Sequence, residues 1–530
     1  MQLLSGLPAM RAGAAVCAVA LSGACLAQPA TLMDEQQIRK AAVASFPEYL
    51  EFLTLPNDAL AGGDDLKKNA QWLAPVLEKR GFSVRQVDNN GRPIVFAALP
   101  SDPAKKTVLF YFHFDGQPVI PAQWAQPSPW KPVLKAKAAD GSWSVLDMQQ
   151  LLRQDFDPEH RVFARAASDD KGPILMFLAA LDLMRSHGVA PAVNVKLILD
   201  SEEEINSPGL GAAIGQQAAF LAADALVIHD GPGHASGRPT AVFGNRGAQA
   251  VTLTVFGPKA PQHSGHYGNY LPNPALKLAR LLAAMKDAQG RVLIPGYYGR
   301  TSISAADKRI LARSGDDEAA IRRRIGFAAP DRVADNYQEA LQYPSLNIRG
   351  MAAGGVGKLA ANIVPKEAVA EIDIRTTVEA DAPYLTALLR KFIEQQGYVL
   401  LDHEPTDDER ARHPLMARMV LGLPAAAARQ PMDSEVRDWV ERALVNAHMG
   451  AGAKAEPVLL RAMGGTVPTN EIVAPLKLPF ALVCVVNADN NQHAYDENLR
   501  MGNYLTGMRS MLGLLNTPYT AASKAVTARP

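Results

Sequence analysis

The chain is short of cysteine and of net charge, and each shortage narrows what it can be. Of its three cysteines, Cys17 and Cys25 fall in an N-terminal stretch that reads as removable, leaving Cys484 inside the apolar run Phe480–Val486. The remaining chain can form no internal disulfide, and Cys484 reads as a small buried hydrophobe. Lys and Arg number 54 against 53 Asp and Glu, a net charge of +1. That balance offers no polybasic footprint for nucleic acid or for an anionic membrane surface. With 48% hydrophobic and 20% charged residues the chain can bury a sizeable core and is not of the disordered type. The one membrane-like stretch lies at the start, so no transmembrane span is expected in the mature chain.

At that start, Arg11 precedes an apolar small-residue run from Ala12 to Ala20, followed by Leu21 to Ala27. This reads as a secretory signal peptide over residues 1–27, cut after Ala27 to leave a neutral chain beginning at Gln28. The expected location is periplasmic or secreted. The alternative is a lipoprotein acylated at Cys25, although Ser22 stands where such signals carry Leu.

Further along, strand-like and helix-like runs alternate. Thr107–Phe112 is continuously apolar and ends on His113. Lys171-Gly172-Pro173 opens a helix with Pro173 at its start and Gly188 at its stop. Val193–Leu199 alternates as a strand running into Asp200, and Ala225–Ile228 runs into His229-Asp230. This order implies a mixed, mostly parallel sheet flanked by helices. The texture changes after Gly244, where strands at Ala250–Val255, Glu367–Arg375 and Tyr398–Leu401 alternate with helices at Pro274–Met285 and near Ala382–Gln396. The expected division is a first catalytic part over 28–243, an inserted smaller α+β, ferredoxin-like lid and dimerisation domain over 244–406, and a second catalytic part over 407–530.

In open parallel sheets functional groups gather beyond the carboxyl ends of strands. Here His113-Phe114-Asp115, Asp200-Ser201-Glu202-Glu203-Glu204 and His229-Asp230 all occupy such ends. Asp169-Asp170 precedes a helix, and His493 follows the last strand. Each alone is weak, because strand-end carboxylates are commonly caps or solvated loop groups; the joint placement is what signals chemistry. Imidazole and carboxylate without thiolate suit two divalent ions, zinc first, with manganese or cobalt possible. Adjacent Glu203 and Glu204 cannot easily face one ion, so one can bind metal while the other serves as general base. Asp115, two residues from His113 on an extended segment, can fix the imidazole tautomer. His229 should point away from Asp230, Asp170 should cap its helix, and His187 and His448 read as surface or cap residues.

These boxes resemble the co-catalytic dinuclear zinc metallopeptidase family that includes carnosinase, nonspecific dipeptidase, glutamate carboxypeptidase and aminoacylase. His113-Phe-Asp115-Gly-Gln-Pro118 is most similar to the dipeptidase branch. The resemblance implies one metal on His113, Asp169 and Asp230 and the other on Asp169, Glu204 and His493. It makes Glu203 the base and Asp115 its catalytic companion. Gln262-His263-Ser-Gly resembles the box whose His reaches the neighbouring subunit's active site, implying a homodimer. Asn362, Arg375, Gly465 and Thr466 fall in segments similar to those that bind substrate. The chain departs from the family in Ala164, Ala166 and Ala167, in Asp200-Ser201 and Asn206, in a shifted Arg461, and in extra residues near 137–160 and 404–435. The implied activity is metal-dependent hydrolysis of an amide bond next to a free carboxylate, in a dipeptide or at the C-terminal residue of a short peptide. The alternatives are an N-acyl amino acid deacylase and a non-catalytic periplasmic binding protein.

Overall fold

A computed structural model describes residues 34–449 and 456–520. The segment read as a signal peptide lies outside the described residues. Among them, no helix is long and apolar enough to cross a membrane.

The larger sheet has eight strands in the order Ser83–Val87, Ile94–Ala98, Asn194–Asp200, Thr107–His113, Ala225–Ile228, Phe480–Cys484, Thr240–Val242 and Val458–Leu460. Its four middle strands, from Asn194–Asp200 to Phe480–Cys484, run parallel. Successive side chains of a strand point to opposite faces. Accordingly Val108, Phe110 and Phe112 join the core beneath the helices Glu35–Leu53, Lys171–Ser186 and Met501–Asn516. Leu109 and Tyr111 pack on the other face with Leu210, Ile214 and Ile472. The helix Lys171–Ser186 is apolar nearly all round because other helices cover its outer side. Its Gly172 admits no side chain: a Cβ there would lie 2.3 Å from the Ala167 carbonyl oxygen. That contact holds the loop before the helix close against its first turn.

A second sheet of five strands has the order Ser345–Ala352, Glu367–Thr376, Gly247–Phe256, Met416–Leu421 and Val399–Leu401. Glu367–Thr376 alternates strictly, burying Ala368, Ala370, Ile372 and Ile374. These meet Leu278 and Leu281 of the helix Pro274–Met285 and Leu385 and Leu389 of the helix Ala382–Gln395. Each such Leu or Ile buried contributes about 1.5–3 kcal/mol against the unfolded chain. Met416–Leu421 pairs with Val251–Val255, so this sheet continues past residue 406. The segment near 137–160 is not an open loop throughout: Trp143–Val145 pairs with Val133–Lys137 in a four-stranded sheet that also takes in Arg161–Phe163 and Asn498–Arg500.

Candidate metal centre and active site

The parallel strands deliver their last residues to one crevice. His113 ends the central strand and is fully buried, Asp230 lies two residues beyond Ala225–Ile228, and Glu203–Ile205 form a single turn after Asn194–Asp200. Asp169 comes from the loop before the helix Lys171–Ser186, and His493 from the loop after Phe480–Cys484. Two donor sets result, His113 with Asp169 and Asp230, and Asp169 with Glu204 and His493. Within each set the potential ligand atoms lie within 4.8 Å of one another. Asp169 belongs to both. Its Oδ1 lies 3.0 Å from His113 Nε2, and its Oδ2, which accepts no hydrogen bond, lies 3.3 Å from His493 Nε2. His493 Nε2 is also 3.4 Å from Glu204 Oε2, which accepts a hydrogen bond from Gln117 Nε2 at 2.6 Å.

The electrostatics are those of a site with too much buried negative charge. Burial and the Asp230 carboxylate push Glu203 well above the carboxylate range. Burial, then Asp169, raises Glu204 to about 8 and Asp230 to about 6. Asp169, itself buried, is held low by the neighbouring His113 and His493 imidazoles, and His493 is raised to about 9 by the Asp169 carboxylate. Cations would relieve this repulsion. The oxygen- and imidazole-only donors and the hydrogen-bond-free Asp169 Oδ2 fit divalent ions.

Asp115 is central to the local geometry. Oδ1 lies 3.1 Å from His113 Nδ1, so Nε2 is left to face the donor set, and the carboxylate accepts the backbone N–H groups of Glu203 at 3.3 Å and Glu204 at 3.0 Å. One side chain thus orients the imidazole and fixes the turn that carries both glutamates.

Other candidates fall elsewhere. Asp170 stands just before the helix but does not cap it. Its Oδ2 accepts the His113 backbone N–H at 3.3 Å, because the carboxylate is turned into the core. Asp200 accepts Tyr111 Oη and Ser207 Oγ, and Glu202 accepts the Gly209 N–H. Neither belongs to a donor set. His229 points away from the site, donating Nδ1–H to the Val483 carbonyl at 2.9 Å and stacking on Phe112. His448 is not a surface residue: it is 4% exposed with Nε2 2.9 Å from Ser510 Oγ, since the helix Met501–Asn516 covers it.

Among the substrate candidates, Arg375 Nη1 donates to Thr466 Oγ1 at 3.0 Å, and Thr466 Oγ1 donates to the Arg246 carbonyl at 2.8 Å. The Gly465 carbonyl accepts the Arg246 N–H at 3.2 Å. His263 and Asn362 are exposed and neighbour each other across the pairing of Gln262–His263 with Ile363–Val364. Among the described residues, no hydrogen bond or ion pair ties either of them to the two donor sets.

Sequence reasoning missed Glu497. It is fully buried and accepts from Arg165 Nη1 at 2.8 Å, the N–H groups of Ala166, Ser168 and Asp169 at 2.9–3.0 Å, and Ser168 Oγ at 2.9 Å. It gathers the loop that presents Asp169. Its only signal in the sequence is a carboxylate four residues after His493, which reads as a solvated loop group.

The profile of Peptidase family M20/M25/M40 matches residues 109–517. The Cys-Gly metallodipeptidase of Schizosaccharomyces pombe is 24% identical over 90% of this chain and 94% of its own length. The Beta-Ala-His dipeptidase of Mus musculus is 26% identical over 79% of this chain and 78% of its own. An M20 family metallo-carboxypeptidase from Sulfolobus solfataricus superposes with a TM-score of 0.70 at 25% identity, covering 89% of this chain and 98% of that one. The comparisons also correct the expected export. The chain matches the Cys-Gly metallodipeptidases of Schizosaccharomyces pombe and Saccharomyces cerevisiae along most of its length, and the periplasmic or secreted location does not stand against that likeness. A short small-residue apolar run is a cue of composition alone, and the chain-long similarity outweighs it.

Proposed function

The chain belongs to peptidase family M20/M25/M40, and from that premise we propose that it hydrolyses the amide bond of a dipeptide, or of the C-terminal residue of a short peptide, beside a free carboxylate. The observation that carries this reading is the sharing of Asp169 between two three-residue donor sets, with Glu203 beside them and in neither. Two divalent cations, zinc foremost with manganese or cobalt accepted by the same donors, would polarise the scissile carbonyl and acidify a water.

Glu203 supplies the base. Standing beside both donor sets and belonging to neither, it takes a proton from the attacking water and returns it to the leaving amine nitrogen. Asp115 holds the Glu203–Glu204 turn and the His113 ring while this happens. Arg375 and Thr466 lie in hydrogen-bond contact and suit the substrate's terminal carboxylate, which a planar guanidinium meets with two parallel donors. Gly465 and Asn362 complete the substrate surface. His263, exposed on the second sheet's unit, reaches the site of a second copy and polarises the carbonyl there, which makes the enzyme a homodimer. The unit of residues 244–406, with the strand Met416–Leu421 that completes its sheet, serves as lid and dimerisation domain. The dipeptidase names of the relatives support a dipeptide over an N-acyl amino acid.

Replacing Glu203 with Gln tests the reading. Turnover of a dipeptide panel should fall by about 10²–10⁴-fold with metal content unchanged. An active variant would remove Glu203 from the mechanism, and a wild-type chain inert to every dipeptide would remove the activity.

A further inference from the structure

Where the second sheet begins, a cavity of about 340 Å3 opens between the strand Ser345–Ala352 and the helical segment 304–344. Its apolar lining includes Ile321, Phe327, Tyr298 and Tyr337, and its polar lining includes Arg246 and Ser345 together with charged groups such as Glu318 and Asp331. The volume is within the range of small-molecule sites, about 300–1,000 Å3.

Arg246 is the unusual member. It is 7% exposed, its Nη2 donates to Ser345 Oγ at 2.6 Å, and its Nε has no hydrogen-bond partner. No carboxylate forms an ion pair with it among the described residues. The nearby Asp373 is engaged by Arg375 Nε at 3.3 Å. Burial and the Arg375 charge lower Arg246 to about 10. A buried cation without a counter-charge is costly, and an anion that arrives with a ligand offsets that cost. The backbone of Arg246 is also tied to the carboxylate-binding pair: its carbonyl accepts from the Thr466 hydroxyl that itself accepts from Arg375.

We propose that this cavity receives the side chain of the substrate residue bearing the free carboxylate, with Arg246 as a second cation facing that carboxylate, so that the enzyme selects a large apolar or aromatic C-terminal residue. The inference rests on the reading under Proposed function and adds the specificity of the same site. Tyr298, Tyr337 and Phe327 offer ring faces and edges to an aromatic or branched side chain, whereas a C-terminal glycine leaves the cavity unfilled.

Equilibrium binding tests it without turnover. The full-length Glu203→Gln chain, loaded with metal, is titrated calorimetrically with N-acetylphenylalanine, N-acetylglycine and N-acetylphenylalanine amide. The phenylalanine acid should bind at least tenfold more tightly than the glycine acid and than the amide. Adding Phe327→Ala or Tyr337→Ala should cut the phenylalanine-to-glycine ratio to about two or less. Adding Arg246→Met should weaken both acids about tenfold, and Arg246→Lys should restore most of that loss, which separates the charge from a folding defect. Equal binding of the two acids, or acid binding indifferent to Arg246→Met, overturns the proposal. If the wild-type chain cleaves no dipeptide while these titrations discriminate as stated, the activity falls and the pocket stands. If dipeptides are cleaved and the titrations are flat, the pocket falls alone.

Discussion

At the scale of single residues, Glu497 shows how a buried carboxylate can act without touching a ligand. Both its oxygens are occupied by the donors of the Arg165–Asp169 loop, so the position of Asp169 depends on it. Glu497→Gln keeps the shape but turns an amide N–H toward those backbone donors. Losses at such supporting positions run to about 10–100-fold in metal affinity, and competition against a chelator should show a weakening of that order with the helix content intact. The convergence of the two donor sets was legible in the sequence, because His113, Glu204 and Asp230 combine residue type with a strand-end position. Glu497 and Arg246 were not, since a carboxylate that gathers backbone N–H groups, or a guanidinium that lacks a carboxylate, follows no period along the chain.

At the scale of elements, the seam between the helices Glu435–His448 and Met501–Asn516 carries a titration. His448 is buried there, and burial lowers it from 6.5 to about 4. A group whose folded value lies below its unfolded value binds more protons when unfolded, so stability is lost as pH falls from about 6.5 toward 4. The loss from this one imidazole amounts to at most about 3 kcal/mol. His229, also lowered to about 4 by burial, contributes in the same window. Chemical denaturation between pH 7 and 4.5 should therefore show a steep acid-side decline, and His448→Gln, which keeps a polar partner for Ser510, should make it shallower. An unchanged slope would mean that His448 is not neutral in the native seam. Elements with strong periodicity, such as Pro274–Met285 and Ala382–Gln395, were legible to within a residue or so. Met416–Leu421 and Trp143–Val145 were not: the first is fixed by Val251–Val255, far away in sequence, and the second is a three-residue, exposed arm of a hairpin, too short for alternation to mark it.

At the scale of the whole molecule, the His263 proposal requires two chains. Mixing His263→Ala with Glu203→Gln, each inactive alone, should restore about a quarter of the wild-type rate after subunit exchange, since half the dimers are mixed and each of those has one intact site. No recovery from demonstrably mixed dimers would place the His263 function within its own chain or nowhere. The most direct test of the central claim, that Asp169 joins two cation sites in one crevice, is the divalent-metal content per chain of the wild type, His493→Ala and Asp169→Ala. The expected result is two ions, one ion and none. A wild type holding a single ion, or an Asp169→Ala chain that retains as much metal as His493→Ala, would contradict it.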